Sequence, residues 1–324
     1  MENLYLGRGK DEDNAALLAF LDEAFFADDE AGTRFLELLP KIYKDKYRPA
    51  YNNFVIQGED GAFRAAAGNF DNGMTVGGVE LHTCCIGNVA VGKDFRRNGY
   101  MVDLMNVSIA DMVRRGIDLS YLGGQRQRYG YFGYENAGVS YFFHVSRQSY
   151  KHAVGGAESG LTMEPLSADD TEAIRLINGI YTKAPAYSRR AEDALYDILC
   201  SWHESPYLLR ENGNTVGYAV LNGDKDYVPE FGLTDPALLP RFLAALFENT
   251  EKDGIGVNAA PYETEKLAFF TKTPRGCAWT TASPSWCSTS KRFSPPICRR
   301  QPSIPPCATG SSPCSSTARR ATSG

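Results

Sequence analysis

The chain has 324 residues, a length that suits two or three domains, and its 43% share of hydrophobic residues is ordinary for a globular protein. All 39 acidic residues but only 28 of the 34 basic ones precede Cys277, so residues 1–276 carry a net charge of −11, which should repel nucleic acid and anionic membranes. The first 30 residues hold no basic start followed by an apolar run, and no stretch of about 18 apolar residues occurs, so we expect a cytoplasmic chain without a signal peptide or a membrane span.

The first half is predicted to alternate helices and strands. In chain order, the elements are helices over 11–28 and 30–43, a hairpin of 54–56 and 63–67, strands over 74–81 and 85–91, a helix over 99–115, strands over 117–122 and 139–145, and a linker over 155–160. The helix over 99–115 carries its apolar residues on one face, and Gly116 ends it. Strand, helix and strand in this order predict parallel strands joined by a right-handed crossover.

The second half repeats this outline. Its elements are a capped helix that begins near Asp170, a helix over 189–203, a hairpin of 207–210 and 216–221, a helix of about 15 residues that opens at Asp235-Pro236, and a strand over 254–257. The repeated order indicates a tandem duplication. The alternative is that strand, helix and hairpin patterns recur by chance.

The segment 277–324 differs from the rest of the chain. It holds six basic and no acidic residues, five of the eight cysteines, and only Ile297 and Ile304 as large aliphatic side chains. Such a segment cannot bury enough surface to offset its ordering entropy, so residues 276–324 are predicted to be a disordered, low-complexity tail. The cysteine spacing fits neither a secreted disulfide module nor a C-x₂-C zinc site. We favour a shifted reading frame near residues 271–277, which would remove the native C-terminal region, over a natural basic tail.

The run IGNVAVGKDFRRNGYMVDLM, residues 86–105, carries the most chemical information. An apolar strand leads into a loop with two arginines and a glycine, and the loop opens a long helix. The first amides of such a helix have no internal partner and favour an anionic group, and a glycine lets the backbone approach it closely. Arg96 and Arg97 alone would indicate only a solvated loop, but strand, loop and helix together predict a phosphate site.

These residues resemble the pyrophosphate signature of the GNAT acetyltransferases, R/Q-x-x-G-x-G/A after a Val-x-Val strand. Here Arg96-Arg97-Asn98-Gly99-Tyr100-Met101 follows Val89-Ala90-Val91, and Met101 departs from the small residue of the signature. The resemblance implies acetyl-CoA as co-substrate, without a metal. The residues expected to bind it are Val89, Ala90, Val91, Arg96, Arg97, Asn98, Gly99, Tyr100, Met101 and Val102.

A second run, Arg128-Tyr129-Gly130-Tyr131-Phe132-Gly133-Tyr134, narrows the resemblance. This run resembles a run found in the tandem-GNAT proteins related to the enhanced-intracellular-survival acetyltransferases. The similarity to these proteins covers roughly residues 1–275. The resemblance implies an α/β (mixed α+β) fold with two GNAT-like domains, 1–154 and 161–275, each a twisted mixed sheet flanked by helices. It also implies that only the first domain binds acetyl-CoA, since residues 230–235 form an acidic loop where the second domain would need a basic one.

The implied reaction is N-acetyl transfer by direct attack of an amine on the thioester. Backbone amides at the end of strand 86–91 would stabilise the developing oxyanion, and Tyr129 would protonate the departing thiolate. That strand offers no carboxylate as a base, so Glu80 and His82, assigned to the preceding strand, are the fallback candidates. In the related family the chain's terminal carboxylate enters the active site, and a shifted reading frame would remove that group.

The expected acceptor is a small-molecule amine, a lysine side chain or an amino terminus, and the acidic body favours cationic acceptors. Nucleic acid and membranes are not expected partners, and a homo-oligomer remains open. The alternatives are a non-catalytic acyl-CoA-binding module, such as a truncated pseudoenzyme, and a scaffold without a cofactor. His144, His152 and His203 are expected to be structural or exposed. Cys84, Cys85 and Cys200 are expected to be small core residues, and Tyr131 and Tyr134 to be packing residues.

Overall fold

The computed structural model describes residues 3–156, 158–272, 276–280 and 287–288, all of which fall in one compact unit. The strands are β1 (Tyr5–Arg8), β2 (Asn53–Gln57), β3 (Phe63–Val76), β4 (Val79–Val91), β5 (Leu119–Leu122), β6 (Glu135–Asn136), β7 (Ser140–Ser146), β8 (Thr162–Pro165), β9 (Ala186–Ser188), β10 (Ser205–Glu211), β11 (Asn214–Leu221), β12 (Tyr227–Val228), β13 (Glu230–Leu233), β14 (Gly254–Ala259), β15 (Gly276–Thr280) and β16 (Cys287–Ser288). The helices are α1 (Asn14–Phe26), α2 (Phe35–Leu38), α3 (Pro40–Tyr43), α4 (Tyr100–Arg114), α5 (Arg126–Tyr129), α6 (Arg147–Val154), α7 (Thr171–Tyr181), α8 (Glu192–Leu199), α9 (Leu239–Glu248) and α10 (Thr264–Phe270).

The largest sheet has the strand order β1-β2-β3-β4-β5-β16-β6, and β9 extends it beside β3. Strands β1 to β4 pair antiparallel, whereas β4 and β5 pair parallel across α4. The parallel pair confirms the strand–helix–strand unit predicted from the sequence, and α4 matches the predicted helix to within one residue at each end.

The strands of this sheet carry apolar side chains on both faces, because successive residues point to opposite faces. Helices therefore cover both faces. On β2, Val55 packs with α1, whereas Phe54 and Ile56 pack with Leu104 of α4. The buried face of α4 consists of Leu104, Met105, Ser108 and Met112, spaced about one helical turn apart. Each fully buried leucine or methionine contributes about 1.5–3 kcal/mol. The apolar stripe of α4 therefore fixes the helix, and with it the start of α4, against the sheet.

The second half forms a similar three-layer arrangement around the β10–β11 hairpin, in a sheet of order β13-β11-β10-β8. Leu208 and Tyr218 face α7, whereas the next residues along each strand, Leu209 and Ala219, face α9. The third sheet has the order β12-β14-β7-β15, so that β7 lies between β14 and β15. The two halves therefore exchange strands: β7 joins a sheet of the second half, and β9 joins the sheet of the first.

Two predicted elements are wrong. The helix predicted over 30–43 is two single turns, α2 and α3, because Pro40 removes an amide and Leu39 before it leaves helical geometry (φ −133°, ψ 60°). The strand predicted over 74–81 is a hairpin instead. Gly77 (φ +56°) and Gly78 (φ +79°) form its tight turn, which needs two left-handed residues.

Two short strands, β15 and β16, lie within the predicted tail. β15 pairs with β7, and β16 pairs with β5 and β6. Two short parts of the tail are therefore ordered, although disorder was predicted for all of it. They need no apolar core of their own, because main-chain pairing with a sheet does not depend on apolar side chains. The rest of the tail, with the hypothesis of a shifted reading frame, lies outside the described residues.

Candidate functional site

A β-bulge interrupts β4 at Asn88. Ala66 pairs with Ala90 and Gly68 with Gly87, so β4 has one residue more than β3 between these two pairs. The faces of the strand confirm the extra residue: Ile86 packs on the α4 side before the bulge, and Val89 does so after it.

Asn88 is held in the left-handed region at φ +38°, and its side-chain amide donates to Asn53 Oδ1 at 2.6 Å. Asn53 is buried and in turn donates to the carbonyl of Pro49 at 2.8 Å. Across the bulge, a Cβ atom on Gly68 would lie 2.3 Å from Asn88 Oδ1, so any other residue there would displace the Asn88 side chain. These contacts fix the bulge in one position.

Beyond the bulge, β4 loses its parallel neighbour. The β4–β5 pairing ends at Ile86 and Leu122, where β5 also ends, while β4 continues to Val91 along β3. Main-chain groups of residues 87–91 that point away from β3 therefore have no β5 partner. A gap flanked by such groups can accept a ligand that itself offers a carbonyl or an amide.

The loop after β4 leads directly into α4. It contains a single 3₁₀ turn, Lys93–Phe95, and then Arg97 (φ +73°) and Gly99 (φ +83°) in the left-handed region. The Gly99 carbonyl accepts from the amides of Val102 and Asp103, at 2.8 and 3.1 Å, and starts the helix.

The amino end of α4 is open to solvent. No side chain caps it, and among the described residues no hydrogen bond involves the amides of residues 97–101. Arg96, Arg97 and Lys93 are exposed beside these amides, and none of the three forms an ion pair in the described part of the chain. Unpaired amides at a helix start, next to three cations, are suited to a phosphate group.

The other predicted cofactor residues connect the bulge to this helix end. Ala90 is buried, and Val89, Val91 and Tyr100 pack against the cluster around Leu104. Met101, the departure from the signature, packs with Ile86, Met105 and Met112, so its larger side chain points into the core. Val102 is exposed.

Tyr129 lies at the end of α5, in the same apolar cluster as Ile86 and Leu122, and only 7% of it is exposed. Its ring borders Gly124, where a Cβ atom would lie 2.4 Å from Cε2. Tyr134 is fully buried with its hydroxyl 2.7 Å from Ser120 Oγ, which confirms a packing role. Tyr131 is 79% exposed and its ring meets only the edge-on ring of Phe132 among the described aromatic contacts, so the packing role predicted for it is wrong. Of these three tyrosines, Tyr129 lies at the point where β5 ends.

The fallback bases Glu80 and His82 lie on β4 itself and not on the preceding strand, because the hairpin turn falls at Gly77-Gly78. Eight residues separate Glu80 from Asn88, a distance of about 26 Å along an extended strand. Glu80 instead pairs with Arg189 at 3.1 Å. Neither side chain can reach the bulge, so both assignments are wrong.

The corresponding helix start of the second half is already occupied. Asp235 Oδ1 accepts the amide of Ala237 at 2.8 Å, and Pro236 has no amide to offer. Glu230, assigned to an acidic loop from sequence, lies on β13 and accepts both terminal guanidinium nitrogens of Arg190 at 2.6 and 2.7 Å. The turn that leads into α9 is therefore capped by Asp235, and this cap, more than repulsion, is the barrier to a phosphate there.

Sequence reasoning missed two titratable side chains outside the phosphate site, Lys41 of α3 and Glu204, which precedes β10. Burial raises the pKa of Glu204 to about 7; the cation of Lys41 opposes this effect and Glu230 adds to it. Burial, and then Arg190, lower the pKa of Lys41. In the part of the chain that the structure describes, neither Lys41 nor Glu204 has an ion pair or a hydrogen bond.

Among the described residues, no group of histidine, cysteine and acidic side chains could hold a metal ion. Likewise, no described helix is both long and apolar enough to cross a bilayer.

Comparison with known proteins agrees with this geometry. Residues 7–137 match the family model of an acetyltransferase (GNAT) domain, a range that includes the bulge, the open helix end and Tyr129. No curated protein sequence matches the chain.

Solved structures share the fold of most of the chain. A GCN5-related N-acetyltransferase from Kribbella flavida is 17% identical with a TM-score of 0.63, over 89% of this chain and 71% of that one. Eis1 from Mycobacterium abscessus is 15% identical with a TM-score of 0.55, over 89% and 73%. N-myristoyltransferase from Saccharomyces cerevisiae, solved with bound myristoyl-CoA and inhibitors, is 10% identical with a TM-score of 0.53, over 89% and 80%. The fold is thus that of GNAT and related acyltransferases.

Proposed function

We propose that the protein is an N-acetyltransferase that moves an acetyl group from acetyl-CoA to an amine by direct attack. The observation that carries the proposal is the uncapped start of α4, next to Arg96 and Arg97, after a bulged strand that has no parallel neighbour beyond the bulge. The match of residues 7–137 to an acetyltransferase domain supports this interpretation. The likeness to a myristoyl-CoA-bound enzyme supports acyl-CoA as the donor class.

Each part of the site has a role in this proposal. The amides of residues 97–101 and the side chains of Arg96 and Arg97 hold the diphosphate of acetyl-CoA, and residues 89–91 pair with its pantetheine arm. Acetyl-CoA supplies the acetyl thioester when bound. Amides near Asn88 stabilise negative charge on the carbonyl oxygen, and Tyr129 donates a proton to the sulfur. A phenol suits this role because it stays protonated near neutral pH.

We also propose that the chain consists of two GNAT-like domains, 1–154 and 161–275, of which only the first binds acetyl-CoA. The matching layers around β3–β4 and β10–β11 support the duplication, with α1 and α7 on one face and α4 and α9 on the other. The cap that Asp235 places on the second half supports its loss of cofactor binding.

The proposed acceptor is a cationic amine, such as a polyamine, an aminoglycoside, a lysine side chain or an amino terminus. The net charge of −11 on residues 1–276 supports this preference, because long-range attraction raises the local concentration of cations. A cytoplasmic location and a homo-oligomeric state are further parts of the proposal.

The test is thiol release from acetyl-CoA in the presence of a panel of amines. We expect release that depends on both the protein and the amine, with the acetylated amine identified by mass spectrometry. Calorimetric binding of acetyl-CoA without release would instead support a non-catalytic acyl-CoA-binding module. The absence of both acetyl-CoA binding and thiol release would support a scaffold.

A further inference from the structure

The second half contains a gap between two strands that begin as neighbours. β12 and β14 pair in parallel over two residues. After Pro229 the chain continues as β13, which pairs with β11 and, among the described strands, with no other. β13 and β14 therefore diverge, as β4 and β5 do in the first half.

A cavity of about 690 Å³ lies in this gap. Its volume falls within the range of roughly 300–1,000 Å³ that small-molecule sites occupy. Buried Phe231, Leu239 and Ala259 form part of its wall, whereas Lys183 and Thr234 at its rim are exposed. A buried apolar wall behind an open rim can take up the apolar part of a ligand from solution.

The edge of β13 that borders the cavity carries main-chain groups without a strand partner in the described part of the chain. The Phe231 carbonyl points away from β11, since it accepts from Lys266 Nζ of α10 at 2.9 Å. Alternate residues of an antiparallel strand direct their main-chain groups to the same side, so Leu233 presents its amide and carbonyl on this edge as well. Thr234 agrees with this alternation, because its amide donates to Val216 of β11 at 2.9 Å.

The partly buried charged side chains of the cavity wall are already paired. Glu230 accepts from its arginine partner with both oxygens, and Lys266 Nζ lies 2.6 Å from Glu263 Oε1. The other charged residues of the wall, Lys183 and Glu265, are exposed and opposite in sign. A charged ligand would lose hydration without meeting an unpaired opposite charge inside the cavity. The wall therefore favours an uncharged ligand.

A phosphate group is disfavoured for a further reason. Pro236, in the turn before α9, lines the cavity and has no amide to donate. The amide of Ala237 is bonded to Asp235, and the carboxylate of Asp235 would repel an anion. The ligand of this cavity therefore differs from the diphosphate-bearing cofactor of the first half.

We propose that the cavity binds a short, uncharged chain of amides, which lies along β13 as an added strand. Carbonyls of this ligand accept from the amides of Phe231 and Leu233, one of its amides donates to the Leu233 carbonyl, and its apolar groups pack on the buried wall. Two molecules offer this chemistry: a peptide segment, and a pantetheine chain without its nucleotide. The inference is independent of the proposed acetyl transfer, because no residue of the first-half site takes part.

The experiment measures site-resolved amide hydrogen exchange of the full chain with N-acetyl-dialanine methylamide, pantetheine or acetyl-CoA at millimolar concentration. At least one of the two uncharged amides should slow exchange at Phe231 and Leu233 by about tenfold or more. Protection by the dialanine amide alone identifies a peptide as the ligand, and protection by pantetheine alone identifies the pantetheine chain. Acetyl-CoA should protect residues 97–101 and leave Phe231 and Leu233 unchanged.

Two outcomes would overturn the inference. One is unchanged exchange at Phe231 and Leu233 with both uncharged amides. The other is protection of these residues by acetyl-CoA as strong as that by pantetheine, which would mean that the cavity accepts a diphosphate. Neither outcome bears on the proposed acetyl transfer, which is tested by thiol release and by exchange at residues 97–101.

A variant of Lys266 tests whether the ligand lies on the β13 edge. Lys266 holds the Phe231 carbonyl and would compete with a ligand amide for it. Lys266→Met should therefore tighten binding of the protecting amide by about two- to tenfold, the worth of one hydrogen bond. Exposed Lys272→Met is the matched control and should retain the wild-type affinity. Equal affinities for the two variants would contradict the placement along β13.

A second variant fills the cavity. Ala184 lies on the wall, so Ala184→Trp should abolish the protection of Phe231 and Leu233. Ala31→Trp, at an exposed position of the first half, should leave it unchanged. Wild-type protection in Ala184→Trp would contradict binding in this cavity.

Discussion

At the scale of single residues, a few side chains hold the site while others supply its chemistry. Asn53 and Asn88 form a partly buried hydrogen bond that fixes the bulge, and asparagine tolerates the left-handed backbone better than most residues do. Tyr129 is the candidate acid because it lies in the apolar cluster where β5 ends. Asn53 and Asn88 lie 35 positions apart in sequence, so no local pattern could relate them. The phosphate residues, in contrast, are contiguous and could be predicted from their signature.

The role of Tyr129 can be tested by removing only its hydroxyl. We expect Tyr129→Phe to lower kcat by about 10²–10⁴-fold, since the ring still packs but no longer donates a proton. Acetyl-CoA affinity should remain within about twofold. The exposed Tyr131→Phe is the matched control and should retain wild-type kcat. Equal rates for the two variants in a thiol-release assay would exclude Tyr129 as the acid.

At the scale of elements, the sequence predicted what depends on local periodicity and missed what depends on pairing. The α4 helix and its flanking strands follow from apolar spacing, and their parallel pairing follows from their order. The bulge at Asn88 exists only relative to β3, so β4 read alone could not reveal it. The Gly77-Gly78 turn was missed because apolar residues flank it on both sides, as in a continuous strand.

The start of α4 depends on a residue that accepts φ +83°. Gly99→Ala has open space around its new Cβ, so its effect should come from the backbone alone. We expect a loss of about 1 kcal/mol in the free energy of unfolding. Gly179→Ala, exposed within α7 and also in open space, should instead gain about 0.5–1 kcal/mol. Urea unfolding of both variants measures the contrast, and a stabilising Gly99→Ala would mean that the helix starts elsewhere.

At the scale of the whole molecule, a buried carboxylate joins the two halves of the chain. Asp197 Oδ1 of α8 accepts from Lys44 Nζ at 2.6 Å, and Asp197 Oδ2 accepts from the Tyr47 hydroxyl at 2.8 Å and lies 3.0 Å from Lys46 Nζ. Burial pushes the pKa of Asp197 up, but these donors outweigh burial and hold that pKa below its usual value. The exchanged strands β7 and β9 join the halves as well. The halves are therefore expected to unfold together.

The contribution of Asp197 should depend on pH. Because its pKa is lowered by folding, the stabilisation is present above the unfolded carboxyl pKa of about 3.9 and is lost as the pH falls through the folded value. We expect Asp197→Asn to cost about 1.5–3 kcal/mol at pH 7 and progressively less on acidification. Exposed Asp193→Asn on the same helix should change little. Denaturant unfolding at several pH values would contradict the assignment if the cost were constant down to pH 2.

The central claim is that the diphosphate of acetyl-CoA binds the free amides at the start of α4. Site-resolved amide hydrogen exchange, with and without saturating acetyl-CoA, tests it most directly. The account predicts strong protection of residues 97–101 on binding, and no change at Ala237, in the 3₁₀ turn before α9 that Asp235 caps. Saturation by acetyl-CoA that leaves exchange at residues 97–101 unchanged would contradict the account.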